Sequence, residues 1–153
     1  MDMTIRRARL DEADLLTGLS MRSKQSNGYD DQFMNTCLEE LTVTPERMAQ
    51  GEYWVAERDG ICGCVCLGTN NEPGSGEVHA FFIEPEKRRQ GIGKMLWNKL
   101  LARAEELGLT QLHLDADPIA VPFYKKLGFE TISNSPSGSI PGRFIPRMRL
   151  IIG

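Results

Sequence analysis

The segment from Lys87 to Lys94 has the residue types and spacing best suited to binding an anion. It contains Gly91, Gly93 and four basic residues, in a chain whose formal net charge is −3. The segment follows a predicted strand and opens a predicted helix. Its glycines therefore let backbone N–H groups converge at the positive end of a helix dipole. Such a site suits a pyrophosphate; the alternative is a surface turn with solvated basic side chains.

Two common nucleotide-binding motifs are absent from this segment. A Rossmann fingerprint requires a third glycine at position 96, where the chain has Leu96. A P-loop requires glycine at position 88 and Ser or Thr at position 95, where the chain has Arg88 and Met95. A phosphate-bearing ligand would therefore be recognised through another motif.

The segment resembles the acetyl-CoA signature of the GNAT acetyltransferase superfamily, Arg/Gln-x-x-Gly-x-Gly/Ala. Here it reads Arg88-Arg89-Gln90-Gly91-Ile92-Gly93. A second GNAT signature is Asn-x-x-Ala-x-x-Phe-Tyr-x-x-x-Gly-Phe. Residues 117–129 are similar to it and read Asp117-Pro118-Ile119-Ala120-Val121-Pro122-Phe123-Tyr124-Lys125-Lys126-Leu127-Gly128-Phe129. Asp117 departs from the family's asparagine, which would remove any cofactor contact made there by an amide.

The resemblance implies that acetyl-CoA is a co-substrate, released as CoA, and that no metal is needed. It implies that the pantetheine arm pairs with the backbone near Phe82 and Ile83. It also implies that the pyrophosphate rests on amides of the segment from residue 88 to 94. The residues expected to bind the cofactor are Phe82, Ile83, Arg88, Arg89, Gln90, Gly91, Ile92, Gly93, Lys94, Asp117 and Phe123.

Acetyl transfer to an amine requires the neutral amine. A lysine-like amine with a pKa of ~10.4 is only about 0.04% neutral at pH 7, so a base is expected. Glu77 and His79 share one face of a predicted strand and are both candidate bases, with water as a third option. Tyr124 matches the family tyrosine that acts as the acid toward the leaving thiolate, and it is the predicted acid here.

The acceptor site is expected in the segments Ser23–Phe33 and Ser133–Gly142. Lys24, Tyr29 and Arg143 would hold a carboxylate of an amino-acid-like amine, whereas Asp30 and Asp31 would instead attract a cation. We therefore expect an enzyme that moves the acetyl group to a primary amine of a small molecule by direct attack in a ternary complex. The alternatives are a protein N-terminal or lysine acetyltransferase and a non-catalytic CoA-binding sensor.

The elements that position these residues follow an α+β order. Helical patterns begin at Asp11, Asp30, Pro45, Ile92 and Asp117, and one strand–helix–strand crossover is expected to be parallel and right-handed. Strand patterns cover Thr4–Arg9, Tyr53–Glu57, Ile61–Leu67, Glu77–Ile83, Gln111–Asp115, Phe129–Ile132 and Phe144–Ile152. The expected fold is a GNAT-like, mixed and mostly antiparallel central sheet of about seven strands. About four helices flank it, and strands 4 and 5 are splayed apart.

Composition bounds the class of protein. The 153 residues, 41% of them hydrophobic, fit a single N-acetyltransferase domain over residues 1–153. The mild negative charge predicts no nucleic-acid partner, and the lack of a long apolar stretch predicts no membrane segment and a cytoplasmic location. A homodimer stays open. Cys62 and Cys66, roughly 13 Å apart on a strand, are too distant to share a zinc ion and are expected to be packed thiols.

Overall fold

A computed structural model describes residues 2–136 and 142–153, and for Ser135 only its backbone. Its centre is a seven-stranded sheet with the order β1-β2-β3-β4-β5-β7-β6. All neighbouring pairs are antiparallel except β4 and β5, which are parallel. The strands are β1 (Thr4–Arg7), β2 (Glu52–Glu57), β3 (Ile61–Thr69), β4 (Ser75–Ile83), β5 (Gln111–Asp115), β6 (Glu130–Pro136) and β7 (Phe144–Ile151).

The helices of the described residues cover the two faces of this sheet. They are α1 (Ala13–Gln25), α2 (Asp31–Leu41), α3 (Pro45–Ala49), α4 (Ile92–Glu106) and α5 (Val121–Lys126). Short 3₁₀ turns precede α1, α4 and α5. The mixed sheet of the expected fold is confirmed, with five helices where about four were expected. Among the described residues, no helix is both long and apolar enough to cross a membrane.

Two apolar clusters, one on each face, hold the helices against the sheet. On one face the α4 stripe of Leu96, Leu100 and Ala104 is fully buried against strand residues. On the other, Leu16 and Leu19 of α1 are buried. The periodic spacing of leucines in both helices accounts for this packing.

Several element ends differ from their prediction. Predicted strand 1 stops at Arg7 rather than Arg9, and α1 begins at Ala13, after a 3₁₀ turn, rather than at Asp11. The predicted loop from Ser133 to Gly142 begins late, because pairing with β7 extends β6 to Pro136. Residues 137–141 of that loop lie outside the described residues.

The cysteines of β3 are buried, as expected, but do not share one face. Cys64 and Cys66 pack in the α1-side cluster, whereas Cys62 packs in the α4-side cluster. A register shift between Ala56 and Glu57 of β2 adds one residue to β3 and reverses the alternation. Burial raises the pKa of the Cys64 thiol to about 12 and that of the Cys66 thiol to about 12, so both stay protonated.

The feature of the sheet that matters most for a site is the short contact between β4 and β5. These strands pair only at Ser75–Gln111, Gly76–Leu112 and Glu77–His113, while β4 runs on to Ile83. The predicted splay is therefore confirmed, and a slot opens between the strands beyond Glu77.

A bulge in β4 lies at the start of this slot. Val65 of β3 pairs with Phe81 and Leu67 pairs with Val78, so two β4 residues, His79 and Ala80, lie opposite one β3 residue. A bulge bends its strand and redirects the side chains around it. Here His79 is exposed although the neighbouring residues of β4 are buried.

An ion-pair cluster fastens β1 to the start of α1. The Arg6 guanidinium donates to both Glu12 carboxylate oxygens at 2.9 and 2.8 Å, and the Arg9 backbone N–H donates to one of them at 2.8 Å. The Glu12 side chain is only 4% exposed. Hydrogen bonds from Arg6 outweigh the effect of burial and lower the pKa of Glu12 to about 2.

Replacing Glu12 with Gln should lower the free energy of unfolding by about 2 kcal/mol at pH 7, because a buried charged hydrogen-bond partner is lost. The folded-state pKa of Glu12 lies below its ordinary 4.5, so its contribution is complete above that pH and is lost as the pH falls toward 2. Urea unfolding at pH 7 and pH 3 should therefore show a smaller acid loss in E12Q than in the unmodified protein. Glu130→Gln, which removes an exposed pair with Arg149, serves as the control; equal acid losses in E12Q and the unmodified protein would contradict the assignment.

Candidate active site

The turn between β4 and α4 is the first feature of the site. Gly91 directly precedes α4 with a φ of 79°, and Arg89 has a φ of 66°. The first hydrogen bond of the helix joins the Met95 N–H to the Gly91 carbonyl at 3.1 Å. The three amides between them therefore have no partner within the helix and are available to a ligand.

The space around this turn is open enough for a diphosphate. A Cβ atom at Gly91 would meet no heavy atom within 4 Å, and one at Gly93 would meet its nearest neighbours at 3.9 Å. The fifteen residues of α4 add the positive end of their dipole. Free amides, open space and a helix dipole together fit the pyrophosphate of coenzyme A.

The basic side chains of this turn have a different role from its backbone amides. Arg88 donates from Nη2 to the Ser23 carbonyl at 3.3 Å and to the Ser26 hydroxyl, so it ties the turn to the end of α1. Arg89 and Lys94 are exposed. The cradle itself is therefore made by the main chain, while the exposed cations add long-range attraction.

The slot between β4 and β5 continues from this turn as a cavity of about 370 Å³. Its apolar wall includes Phe81, Phe82, Ile83 and Phe123. The Phe123 ring meets the Phe81 ring edge-on at 5.5 Å. Because β5 leaves β4 after Glu77, the β4 backbone on this side is available to an extended ligand, which fits a pantetheine arm added like a strand.

Tyr124 lies in the wall of the same cavity. Its ring packs against the rings of Phe81, Phe123 and Phe129 at centroid distances of 6.3, 5.3 and 5.7 Å. Burial, with a smaller contribution from the negative charge of Asp117, raises the pKa of Tyr124. The phenol is therefore held protonated, as a hydrogen-bond donor at the wall of the slot.

The two candidate bases have different surroundings. Glu77 is buried and accepts from Nη1 and Nη2 of Arg147 at 2.9 and 3.0 Å and from the Asn70 side-chain amide at 3.3 Å. Burial alone would raise the pKa of Glu77, but the Arg147 and Asn70 hydrogen bonds leave it below its ordinary value. A carboxylate held in this way is a weak base and a strong anchor for its partners.

His79 lies where the slot meets a second, larger cavity of about 690 Å³. His79 lines both cavities and is exposed to them through the β4 bulge. The other residues shared by the two cavities are Glu40, Leu41, Phe82, Asp115 and Ile145. A ligand in the slot and a second one in the larger cavity would therefore meet beside an imidazole.

Comparison with known proteins identifies this arrangement. A family model described as "Acetyltransferase (GNAT) family" matches residues 19–129. The chain belongs to the GNAT acetyltransferase family. As a member of this enzyme family it is an N-acetyltransferase that uses acetyl-CoA, so the family, activity and cofactor expected from the sequence are confirmed.

Relatives of this GNAT enzyme include two proteins of the same name. The chain is 34% identical over 160 residues to "Peptidyl-lysine N-acetyltransferase YjaB" of Salmonella typhimurium, covering 99% of each chain. It is 31% identical over 138 residues to "Peptidyl-lysine N-acetyltransferase YjaB" of Escherichia coli, covering 88% of this chain and 87% of that protein.

Solved structures show the same fold at low sequence identity. The PaiA N-acetyltransferase from Thermoplasma acidophilum, in complex with coenzyme A, superposes with a TM-score of 0.79 at 17% identity and covers 99% of this chain and 100% of its own. The ribosomal-protein-S18-alanine N-acetyltransferase of Escherichia coli superposes with a TM-score of 0.71 at 15% identity, covering 99% of this chain and 94% of its own. At these identities the likeness is one of fold alone.

The residues predicted to bind the acceptor come together in this GNAT fold, around Asp117. The Tyr29 hydroxyl lies 2.9 and 2.8 Å from the two Asp117 carboxylate oxygens, and Lys24 Nζ lies 3.6 Å from one of them. Arg143 Nη2 is 4.0 Å from the same oxygen and donates to the Tyr29 hydroxyl at 3.3 Å. Lys24, Arg143 and Asp117 line the slot rather than the larger cavity.

The two acidic residues weighed as an alternative cation site have local roles. Asp30 accepts the Phe33 N–H at 2.8 Å and caps α2. Asp31 accepts from the Gln25 side-chain amide at 2.7 Å.

Sequence reasoning missed two residues of the site. Arg147 bridges Glu77 and Asp115, donating to Asp115 at 3.1 Å. It reaches them because β5 and β7 place Asp115 opposite Arg147. No local pattern marks such a pair, since only the register of two strands far apart in the chain brings it together.

Replacing Gly91 with Ala should weaken the binding of CoA roughly tenfold, because an L-residue resists a positive φ and the turn that aligns the amides would shift. Gly108→Ala is the matched control. It ends the same helix with a φ of 73° and likewise has no atom within 4 Å of a Cβ. Calorimetry should find weaker binding only in G91A, whereas thermal melting should show similar destabilisation in both; equal affinities would contradict the cradle.

Replacing Tyr124 with Phe should lower kcat about 100-fold while the dissociation constant of acetyl-CoA stays unchanged. The phenyl ring keeps the packing, and only the hydroxyl is lost. Stopped-flow thiol release gives kcat, and calorimetry gives the affinity. Turnover equal to that of the unmodified enzyme would remove Tyr124 from the mechanism.

Proposed function

We propose that this enzyme transfers the acetyl group to the ε-amine of lysine side chains in peptides or proteins. The observation that carries the proposal is the larger cavity of about 690 Å³, which reaches the slot at His79. The name of the full-length relatives, peptidyl-lysine N-acetyltransferase, supports the same acceptor. This acceptor replaces the small-molecule amine favoured by the sequence.

The charges of the larger cavity favour an incoming ammonium group. Three acidic residues line it, Glu40, Glu77 and Asp115, against one basic lining residue, Arg47. Arg147 balances part of this charge, because it pairs with both Glu77 and Asp115. The opening that remains is mildly negative and leads to an exposed imidazole.

In this proposal the chain's own groups handle the protons of the transfer. Bound acetyl-CoA supplies an activated thioester in the slot. His79 accepts the proton that the lysine amine loses as it attacks, directly or through one water. The Tyr124 hydroxyl donates a hydrogen bond to the departing sulfur; since burial raises the pKa of Tyr124, this bond stabilises the developing thiolate before any proton moves.

Glu77 has a positioning role in this scheme. Its carboxylate holds Arg147, and through it Asp115, at the point where the two cavities meet. With a pKa below its ordinary value, Glu77 stays ionised at neutral pH and is unsuited to taking a proton from an ammonium group.

The roles of His79 and Glu77 separate in the kinetics of their variants. His79→Gln should lower kcat/KM about 100-fold, because the group that takes the proton of the amine is lost. Glu77→Gln should cost less, because the glutamine keeps an oxygen that accepts from Arg147. A larger loss in E77Q than in H79Q would assign the base to Glu77, and kcat/KM unchanged in both variants would assign it to water.

The acceptor class is tested by offering peptides with blocked N-termini, each with a single lysine, beside the same peptides with norleucine at that position. Thiol release measures turnover, and mass spectrometry locates the acetyl group. The proposal expects turnover only with lysine present. Turnover restricted to free small amines would restore the small-molecule reading, and CoA binding without release on any amine would make the protein a sensor.

A further inference from the structure

Lys24 and Arg143 form a pair of cations in the wall of the slot. The exposed fractions of their side chains are 16% and 22%. Lys24 comes from the end of α1, and Arg143 directly precedes β7. Two distant parts of the chain thus bring positive charge into one cavity, whose wall also carries apolar side chains such as Phe82 and Phe123.

Asp117 is the one carboxylate within 4.0 Å of these cations among residues 2–136 and 142–153, and it offsets only part of their charge. Lys24 Nζ and Arg143 Nη2 lie 3.6 and 4.0 Å from the same Asp117 oxygen. Several ion pairs elsewhere in the molecule are tighter, such as Arg103–Glu52 at 2.8 Å. The nearest positions on the Asp117 carboxylate are taken by the Tyr29 hydroxyl, at 2.8 and 2.9 Å from its oxygens.

The ammonium group of Lys24 donates no hydrogen bond within 3.5 Å to any residue in the part of the chain that the structure describes. Its three N–H donors are therefore available to a ligand in a mostly buried position, where a charged group gains most from a charged acceptor. Counting Lys24, Arg143 and Asp117, one positive charge is left over. Over the whole cavity Glu40 and Asp115 offset this charge, but both lie where the cavity meets the larger one, so an anionic group is favoured only beside Lys24 and Arg143.

An aromatic platform fixes the two cations in place. The rings of Tyr29 and Phe33 are stacked at 4.1 Å with an interplanar angle of 10°. Lys24 Nζ lies 5.9 and 6.0 Å from their centroids, and the Arg143 guanidinium carbon lies 5.8 and 5.1 Å from them. Cation–π contact on one side holds the charges near the cavity without using their hydrogen-bond donors.

We propose that Lys24 and Arg143 bind a carboxylate that the acceptor carries close to its reacting amine. This rests on the proposed function, and in a peptide the carboxylate is the side chain of an Asp or Glu next to the acetylated lysine. His79 and Asp115 line the same cavity as the two cations. In this proposal the acceptor places its carboxylate beside the cations and its amine beside His79, where the slot joins the larger cavity. The enzyme then selects lysines in acidic surroundings.

The test measures kcat/KM for three N-terminally blocked peptides that differ only in the residue beside the lysine, which is Glu, Gln or Lys. The unmodified enzyme should prefer the Glu peptide over the Gln peptide about tenfold and should be slowest on the Lys peptide. Lys24→Met and Arg143→Gln should each abolish most of this preference by raising KM for the Glu peptide. The readout is the ratio of kcat/KM for the Glu peptide to that for the Gln peptide, because an effect on both peptides alike cancels in this ratio.

Lys99→Met is the matched control. It removes one positive charge from α4, where Lys99 lies over the Trp54 ring at 4.7 Å and lines neither cavity. It should keep the full preference for the Glu peptide. A preference that falls equally in K99M would mean that overall charge, and not this pair, selects the acceptor.

Free lysine and lysine amide distinguish the source of the carboxylate. Suppose that free lysine is acetylated, lysine amide is not, and the K24M variant loses the activity on free lysine. The cations would then bind an α-carboxylate in place of an acidic side chain. Equal kcat/KM for the Glu and Gln peptides would overturn the inference and leave the proposed function standing. A change confined to the KM for acetyl-CoA would overturn it too, by assigning the cations to the cofactor, whereas no turnover on any lysine peptide would contradict the proposed function itself.

Discussion

The departure of β4 from β5 after Glu77 is the constraint on which the rest of this structure depends. Strands that stop pairing inside a sheet leave backbone groups and apolar side chains in need of other partners. Here both walls of the gap are firm, because β3 pairs with β4 as far as Ile83 and β7 pairs with β5 along its whole length. The gap is therefore a fixed slot inside the sheet, and an extended ligand can bind there like an additional strand.

The slot connects the two chemical ends of the site. Its outer end is the turn before α4, where main-chain amides face open space. Its inner end is the β4 bulge, where His79 is exposed to the larger cavity. The end of α1 is held beside this path by the Arg22–Glu84 pair at 2.8 Å, and the segment linking α1 to α2 is held there by the contact of Tyr29 with Asp117. Cofactor and acceptor surfaces are therefore parts of one continuous structure.

Local features of this fold could be predicted from the sequence, whereas features that depend on strand register could not. The start of α4 follows from Gly91 and from a leucine stripe with helical spacing. Pro122 fits at the first turn of α5, where a missing N–H is tolerated. The β4 bulge, the Arg147 bridge and the convergence on Asp117 depend instead on residues far apart in the chain. The predicted acceptor residues do lie together, but they cluster around the carboxylate of Asp117, which the sequence analysis assigned to cofactor binding.

The central claim is that the main chain of β4 and of the turn before α4 binds coenzyme A. Residue-resolved amide hydrogen exchange, measured with and without CoA, tests it most directly. The account predicts slower exchange at residues 81–83 and 91–94 when CoA is present, with little change in β1 and β2 on the far side of the sheet. Exchange that is unchanged in both segments while CoA is bound would contradict the account.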